Sequence, residues 1–163
     1  MPFDRSLIDK YHAGAEHLTQ SIRGLTRDDL LAKPPEEPNL GKWTIQQVVM
    51  HLVDCEGVHV DRMKRVISEE NPQLMAFDEN KWAASLHYAE QNTEEAVKLF
   101  DLMRRQMTQT LRYLPDSAFD RAGTHSERGK VTLKDLLTTA ITHLDHHLKF
   151  IHAKRAAMGK EMW

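Results

Sequence analysis

Apolar residues recur at three- and four-residue spacing along four long stretches of the chain, the period of amphipathic helices. In the first, from about Asp4 to Arg23, Leu7, Ile8, Tyr11, Ala15, Leu18 and Ile22 share one face. Gly24 follows, where a chain leaving a helix turns left-handed. A short turn of helix is expected over Thr26 to Ala32, capped by Thr26 with Asp29 three residues on. The second long helix is announced by Trp43-Thr44-Ile45-Gln46-Gln47: Thr44 and Gln47 fit a capping box, and Trp43 fits a hydrophobic staple. It runs to about Ile67. The third spans Asn92 or Thr93 to Leu114, with Glu94 and Glu95 favourable in its first turn, and stops before Pro115. The fourth starts at Thr132, boxed by Asp135, and runs to about Met158. Asp78-Glu79-Asn80-Lys81-Trp82 predicts a further short helix. No segment alternates with a period of two, so no strands are expected. The linkers, at roughly 20 to 25 residues, are too long for a simple up-down bundle. The expectation is an all-α, four-helix bundle with long crossover connections, in one domain over residues 1–163.

Composition narrows the function classes. The 163 residues carry 22 Lys+Arg against 24 Asp+Glu, a net charge of −2, without the basic excess of a nucleic-acid binder. One cysteine excludes an intrachain disulfide. The N-terminus has no apolar signal region and no run reaches the ~18 residues of a membrane span, so a cytoplasmic protein without a membrane partner is expected. The seven glycines form neither a P-loop nor a dinucleotide fingerprint, and there is no GxSxG elbow. A di-iron carboxylate bundle needs Glu-x-x-His on two helices, and only Glu56 to His59 supplies one.

Histidine is in excess, with ten in the chain. That excess makes spacing alone weak: random placement of ten histidines gives about 0.6 pairs at i, i+4. Placement on the helical wheel is sharper. His143 and His147, one turn apart, sit at the edge of the apolar arc formed by Leu133, Leu136, Ala140, Leu144, Leu148 and Ile151, while His146 falls on the solvent side. On the second helix His51 lies at the edge of an arc of Ile45, Val48, Leu52, Met63 and Val66. Cys55, His59 and Glu56 follow at about 40°, 80° and 140° from it. An apolar face holding such groups must pair them if it is buried, and a cavity lined by His51, Cys55 and His59 meets that need. Taken singly, each has a structural reading: a hydrogen-bonded core histidine, or in Cys55 a small apolar residue. His125, in the stretch Thr124 to Gly129, reads as a solvated loop residue or part of a lid.

These elements, taken in order, resemble the DinB superfamily: Trp43-Thr44, His51-Leu52-Val53-Asp54, Asp78-Glu79-Asn80-Lys81-Trp82, Gly129-Lys130-Val131-Thr132-Leu133 and His143-Leu144-Asp145-His146-His147. The likeness spans nearly the whole chain and is greatest to the YfiT-like branch of metal-dependent hydrolases and bacillithiol transferases. It implies up-down-down-up connectivity, a homodimer, and one divalent ion, Ni²⁺ or Zn²⁺, on His51, His143 and His147, with His146 not a ligand. Three imidazoles leave a coordination position open. Such a position activates either water or a low-molecular-weight thiol cosubstrate against a small-molecule substrate. The expected function is therefore a metal-dependent hydrolase or thiol S-transferase, with Glu56 and His59 as acid/base candidates and Asp54 less well placed. Trp82 and Asp78 are candidates for the pocket mouth. The alternative is a non-catalytic metal-binding or structural bundle.

Overall fold

The computed structural model describes residues 2–162. Four long helices form the bundle: α1 (Ser6–Ser21), α3 (Ile45–Ser68), α5 (Thr93–Tyr113) and α6 (Leu133–Ala157). Two short helices lie in the linkers, α2 (Arg27–Leu31) and α4 (Glu79–Ser85). Each boundary has a local cause. Thr26, Thr44 and Thr132 each accept from the backbone N–H three residues on, and the side chain at that position accepts in return from the threonine N–H. Asn92 caps α5 by accepting from the N–H groups of Glu94 and Glu95. Asp78 does the same for α4 through Asn80 and Lys81. Such caps contribute roughly 1 kcal/mol each and fix where the helix begins.

Helices α1 and α3 each pack on both α5 and α6. Consecutive long helices α1 and α3 therefore stand across the bundle from one another, as do α5 and α6. Each diagonal step requires a crossing connection, which accounts for the long linkers.

The expectation of no strands is corrected. β1 (Gln73–Leu74) pairs in parallel with β2 (Ala122–His125), which pairs antiparallel with β3 (Gly129–Thr132). Strands of two to four residues are too short to display an alternating pattern, and Gly123 and Gly129 interrupt what there is. The sheet ties the α3–α4 linker to the start of α6, since β3 runs directly into the capping residue Thr132. His125 accordingly lies buried in a strand rather than in an open loop.

The apolar interior has two zones. One gathers Leu18, Ile45, Val49, Leu52, Phe100, Leu144 and Ile151. The other gathers Ile8, Met63, Val66, Met107, Leu111, Phe119, Leu133 and Leu137. Between them, on the middle turns of α3, lie the buried polar residues His51, Glu56 and His59. No helix among the described residues is long and apolar enough to cross a membrane.

Candidate metal centre

Two helices supply the histidine cluster. α3 presents His51 with Cys55 one turn further on, and α6 presents His143 with His147 one turn further on. Because side chains four apart share a helix face, each pair points into the same space where the helices meet. The Nε2 atoms of His51 and His143 are 3.1 Å apart. The His147 ring lies 4.6 Å from that of His51 and 4.5 Å from that of His143, centroid to centroid. Cys55 Sγ is 3.6 Å from both ring nitrogens of His51. Trp43, expected as a staple, leans its indole on His51 at 5.0 Å and packs against the first core zone.

Burial governs the protonation of these groups. Removal from water disfavours the imidazolium, and mutual repulsion among the histidines adds to it. His51 and His143 are each lowered to about 4, and His147 to about 3. Desolvation is the leading cause in each; His143 is the next contributor at His51 and His147, and His146 at His143. At neutral pH all three are neutral, the form that binds a metal. Burial, followed by the nearby carboxylates of Glu79 and Asp54, pushes the Cys55 thiol up to about 12.

The donor set fits a divalent ion on two observations. First, two imidazole nitrogens 3.1 Å apart stand close to the separation of two ligands on one ion with bonds of about 2.0–2.1 Å. Second, Nδ1 of His147 is buried with no hydrogen-bond partner. A buried polar atom left unpaired costs roughly 1–3 kcal/mol, and coordination would remove that cost. The ligand atoms that lie within 4.8 Å of one another are those of His51, Cys55 and His143; His147 stands beside this group, by its ring-centroid distances, rather than within it. Cys55, read from sequence as lining a cavity with His51 and His59 and, taken singly, as a small apolar residue, is thus a candidate soft donor beside the imidazoles.

The other candidates separate cleanly. His59 is buried next to His143, with ring centroids 5.7 Å apart, and is lowered to about 3 by desolvation and then by His143. Glu56, expected as an acid or base beside the histidines, is occupied elsewhere. Its carboxylate accepts from Arg104 Nε at 3.0 Å, and its other oxygen accepts from the Tyr11 hydroxyl. The angular step of α3 carries it past the histidine face, toward α1 and α5. Asp54 is also engaged, accepting from the Tyr88 hydroxyl at 2.5 Å. His146 is exposed, edge-on to Phe150. Trp82 packs against Phe77 with ring centroids 4.4 Å apart and planes tilted by 41°, and Asp78 is the cap of α4.

Glu79 is the residue that sequence reasoning missed. It occupies the first turn of α4, and its exposed carboxylate reaches to 3.7 Å from Nε2 of His51. The available signal was its place in the Asp78-to-Trp82 segment, whose short helix is aimed at the cluster by its cap. Nothing in the local spacing shows that this helix docks beside His51.

The profile of the DinB superfamily matches residues 10–151. A relative from Oceanobacillus iheyensis named "Putative metal-dependent hydrolase" is 31% identical over 68% of this chain, a match that spans 64% of that relative's length. The Bacillus subtilis protein named "Putative metal-dependent hydrolase YfiT" is 29% identical over 87% of this chain and 78% of its own. The solved structure of YfiT from Bacillus subtilis, described as "a probable metal-dependent hydrolase with an unusual four-helix bundle topology", superposes with a TM-score of 0.86 at 26% identity, over 94% of this chain and 86% of that one. A mycothiol-dependent maleylpyruvate isomerase shares the fold, with a TM-score of 0.68 at 13% identity over 88% of this chain and 58% of that chain.

Proposed function

We propose that this chain, which belongs to the DinB superfamily, is a metal-dependent enzyme that hydrolyses a small molecule, with one nickel or zinc ion held by His51, His143 and His147. The observation that carries this reading is the convergence of three neutral imidazoles from two helices, one with a buried nitrogen that no protein group satisfies. The names of the relatives, metal-dependent hydrolases, support it. A bound ion would supply Lewis acidity at its open position, lowering the pKa of a water or of a small thiol.

The chain's own residues supply the rest. Glu79, 3.7 Å from His51 Nε2, is placed to accept the proton of a nucleophile at the cluster. It outranks His59, whose burial makes it a poor proton acceptor. Trp43 shields the outer face of His51 and fixes its ring. Burial, which pushes the Cys55 thiol up to about 12 in the metal-free chain, disfavours it as the nucleophile.

A second reading is thiol S-transfer, in which a low-molecular-weight thiol takes the open position. In it the thiol would lose its proton to solvent on binding the ion, so Glu79, the only carboxylate within 4 Å of the histidines among the described residues, would be dispensable.

Two substrate panels separate the readings: activated esters and amides, and a small thiol with a model electrophile. Hydrolysis that needs metal and falls in Glu79→Gln supports the first. Metal-dependent thiol conjugation that survives Glu79→Gln supports the second. Tight metal binding with no turnover in either panel contradicts both, leaving a metal-holding structural bundle.

A further inference from the structure

Next to the histidine cluster lies a cavity of about 280 Å³ whose lining includes His147, Trp43, Leu40, Phe150, Glu79 and Lys154. Ligand cavities start at roughly 300 Å³, so this one suits a body no larger than a single ring. Its lining is mostly apolar and holds both His147 and Lys154, a lysine that is only 4% exposed.

A lysine is almost never buried unless it is paired. Among the described residues Lys154 has no carboxylate within ion-pairing distance, and its one hydrogen-bond acceptor is the carbonyl of Leu40. An ammonium has three donors, so two are unspent. Two other buried cations, Arg104 and Arg155, show what full use looks like, whereas Arg62, with the Met75 carbonyl as its acceptor and an unpaired Nε, shares the shortfall of Lys154. Arg104 is paired with Glu56. Arg155 donates to the carbonyls of Ser21, Arg23 and Lys160, where it closes the end of α1. Lys154 instead hangs over the Phe150 ring, 5.3 Å from its centroid. Gly41, whose φ of +66° favours glycine, lies beside it: the position a Cβ would occupy is 4.0 Å from the ammonium, ordinary van der Waals contact. Burial alone lowers Lys154 to about 8, as expected for a cation that lacks a counter-charge. Within the cavity Lys154 and the exposed Lys42 outnumber the single carboxylate, Glu79, which reaches toward the histidine end.

His147 and Lys154 are two turns apart on α6, about 10 Å along its axis. We propose that this cavity binds the carboxylate-bearing end of the substrate, a small molecule with a single-ring apolar body, and that Lys154 pairs with the carboxylate while the reacting carbon lies at His147. The assignment of the reacting end rests on the metal-centre reading; the carboxylate site itself does not.

The test uses 4-methylbenzoate and its neutral counterpart 4-methylbenzamide. Each is titrated into the full chain, metal-free and metal-loaded, with metal content measured on the same samples and binding followed by NMR. The acid is expected to bind about tenfold more tightly or better in both forms. That preference is expected to vanish in Lys154→Met and to persist in part in Lys154→Arg. If Lys154→Met does not fold, the wild-type protein still decides, because the probe's ring protons must show nuclear Overhauser contacts to Phe150 or Trp43. Equal binding of acid and amide overturns the proposal, as does a preference that survives Lys154→Met, or one seen only with metal bound. Wild-type protein that binds no metal yet prefers the acid contradicts the histidine centre and leaves the Lys154 site standing.

Discussion

Cys55 and Glu56 are neighbours in the chain and open onto two buried polar clusters that differ in one respect. On the Glu56 side every strong group is used. Arg104 donates to Glu56, to the Tyr11 carbonyl at 2.9 Å and to the Ala140 carbonyl at 2.9 Å, and its guanidinium lies 4.5 Å from the Tyr11 ring centroid and 4.6 Å from that of Phe100. Tyr11 completes the set through its hydroxyl. On the Cys55 side, three imidazoles and a thiol face one another, and His147 Nδ1 has no partner among the described residues. A saturated cluster has nothing left to offer a ligand and acts on the fold: it joins α1, α3, α5 and α6. An unsaturated one costs stability unless something binds. The second is therefore the candidate site: both carry titratable groups, but Tyr11, Glu56 and Arg104 are fully buried while His143 and His147 are only partly so.

The largest effect should come from unbalancing the saturated cluster. Arg104→Ala leaves the Glu56 carboxylate buried without its partner, which costs roughly 3–5 kcal/mol. Urea unfolding should show that loss, while whatever fraction folds keeps its metal stoichiometry. A loss of metal without a loss of stability would mean that the two clusters are not separate. Acid should act on the other cluster. His51, His143 and His147 sit at about 4, 4 and 3 in the folded protein, against 6.5 in a model peptide. The unfolded chain therefore takes up protons that the folded one refuses. In the metal-free protein, stability is full above pH 6.5 and is lost as the pH falls toward 4. Denaturation curves across that window should be less steep with pH in His147→Ala; an unchanged slope would show that His147 is not buried neutral. A smaller effect is expected at Gly14. A Cβ there would meet Arg104 Nη1 at 2.2 Å and Leu144 Cδ2 at 2.7 Å. The guanidinium is pinned by its bonds and cannot easily give way, so Gly14→Ala should cost about 1–3 kcal/mol in thermal or urea unfolding, with metal binding retained. A neutral substitution would show that Arg104 is less fixed than its contacts imply.

Much of this contrast was legible in the sequence, and the part that was not has a physical reason. Helix ends were readable because capping boxes such as Thr44 with Gln47 and Thr132 with Asp135 act over three residues. Placing His51, His143 and His147 on inner faces needed only the helical period. The fate of Glu56 was not readable, because its partner Arg104 lies 48 residues away on a helix whose packing angle no local pattern specifies. Glu79 escaped for the same reason. Its distance to His51 is set by how α4 docks, not by the residues around it. The short strands escaped because their pairing, not their composition, defines them.

Whether the unsaturated cluster holds one metal ion is decided by elemental analysis of the purified protein. About one nickel or zinc per chain is predicted for the wild type and for His146→Ala, with none in His51→Ala, His143→Ala or His147→Ala. Full metal content in all three single variants, or none in the wild type after loading, would contradict the three-histidine centre.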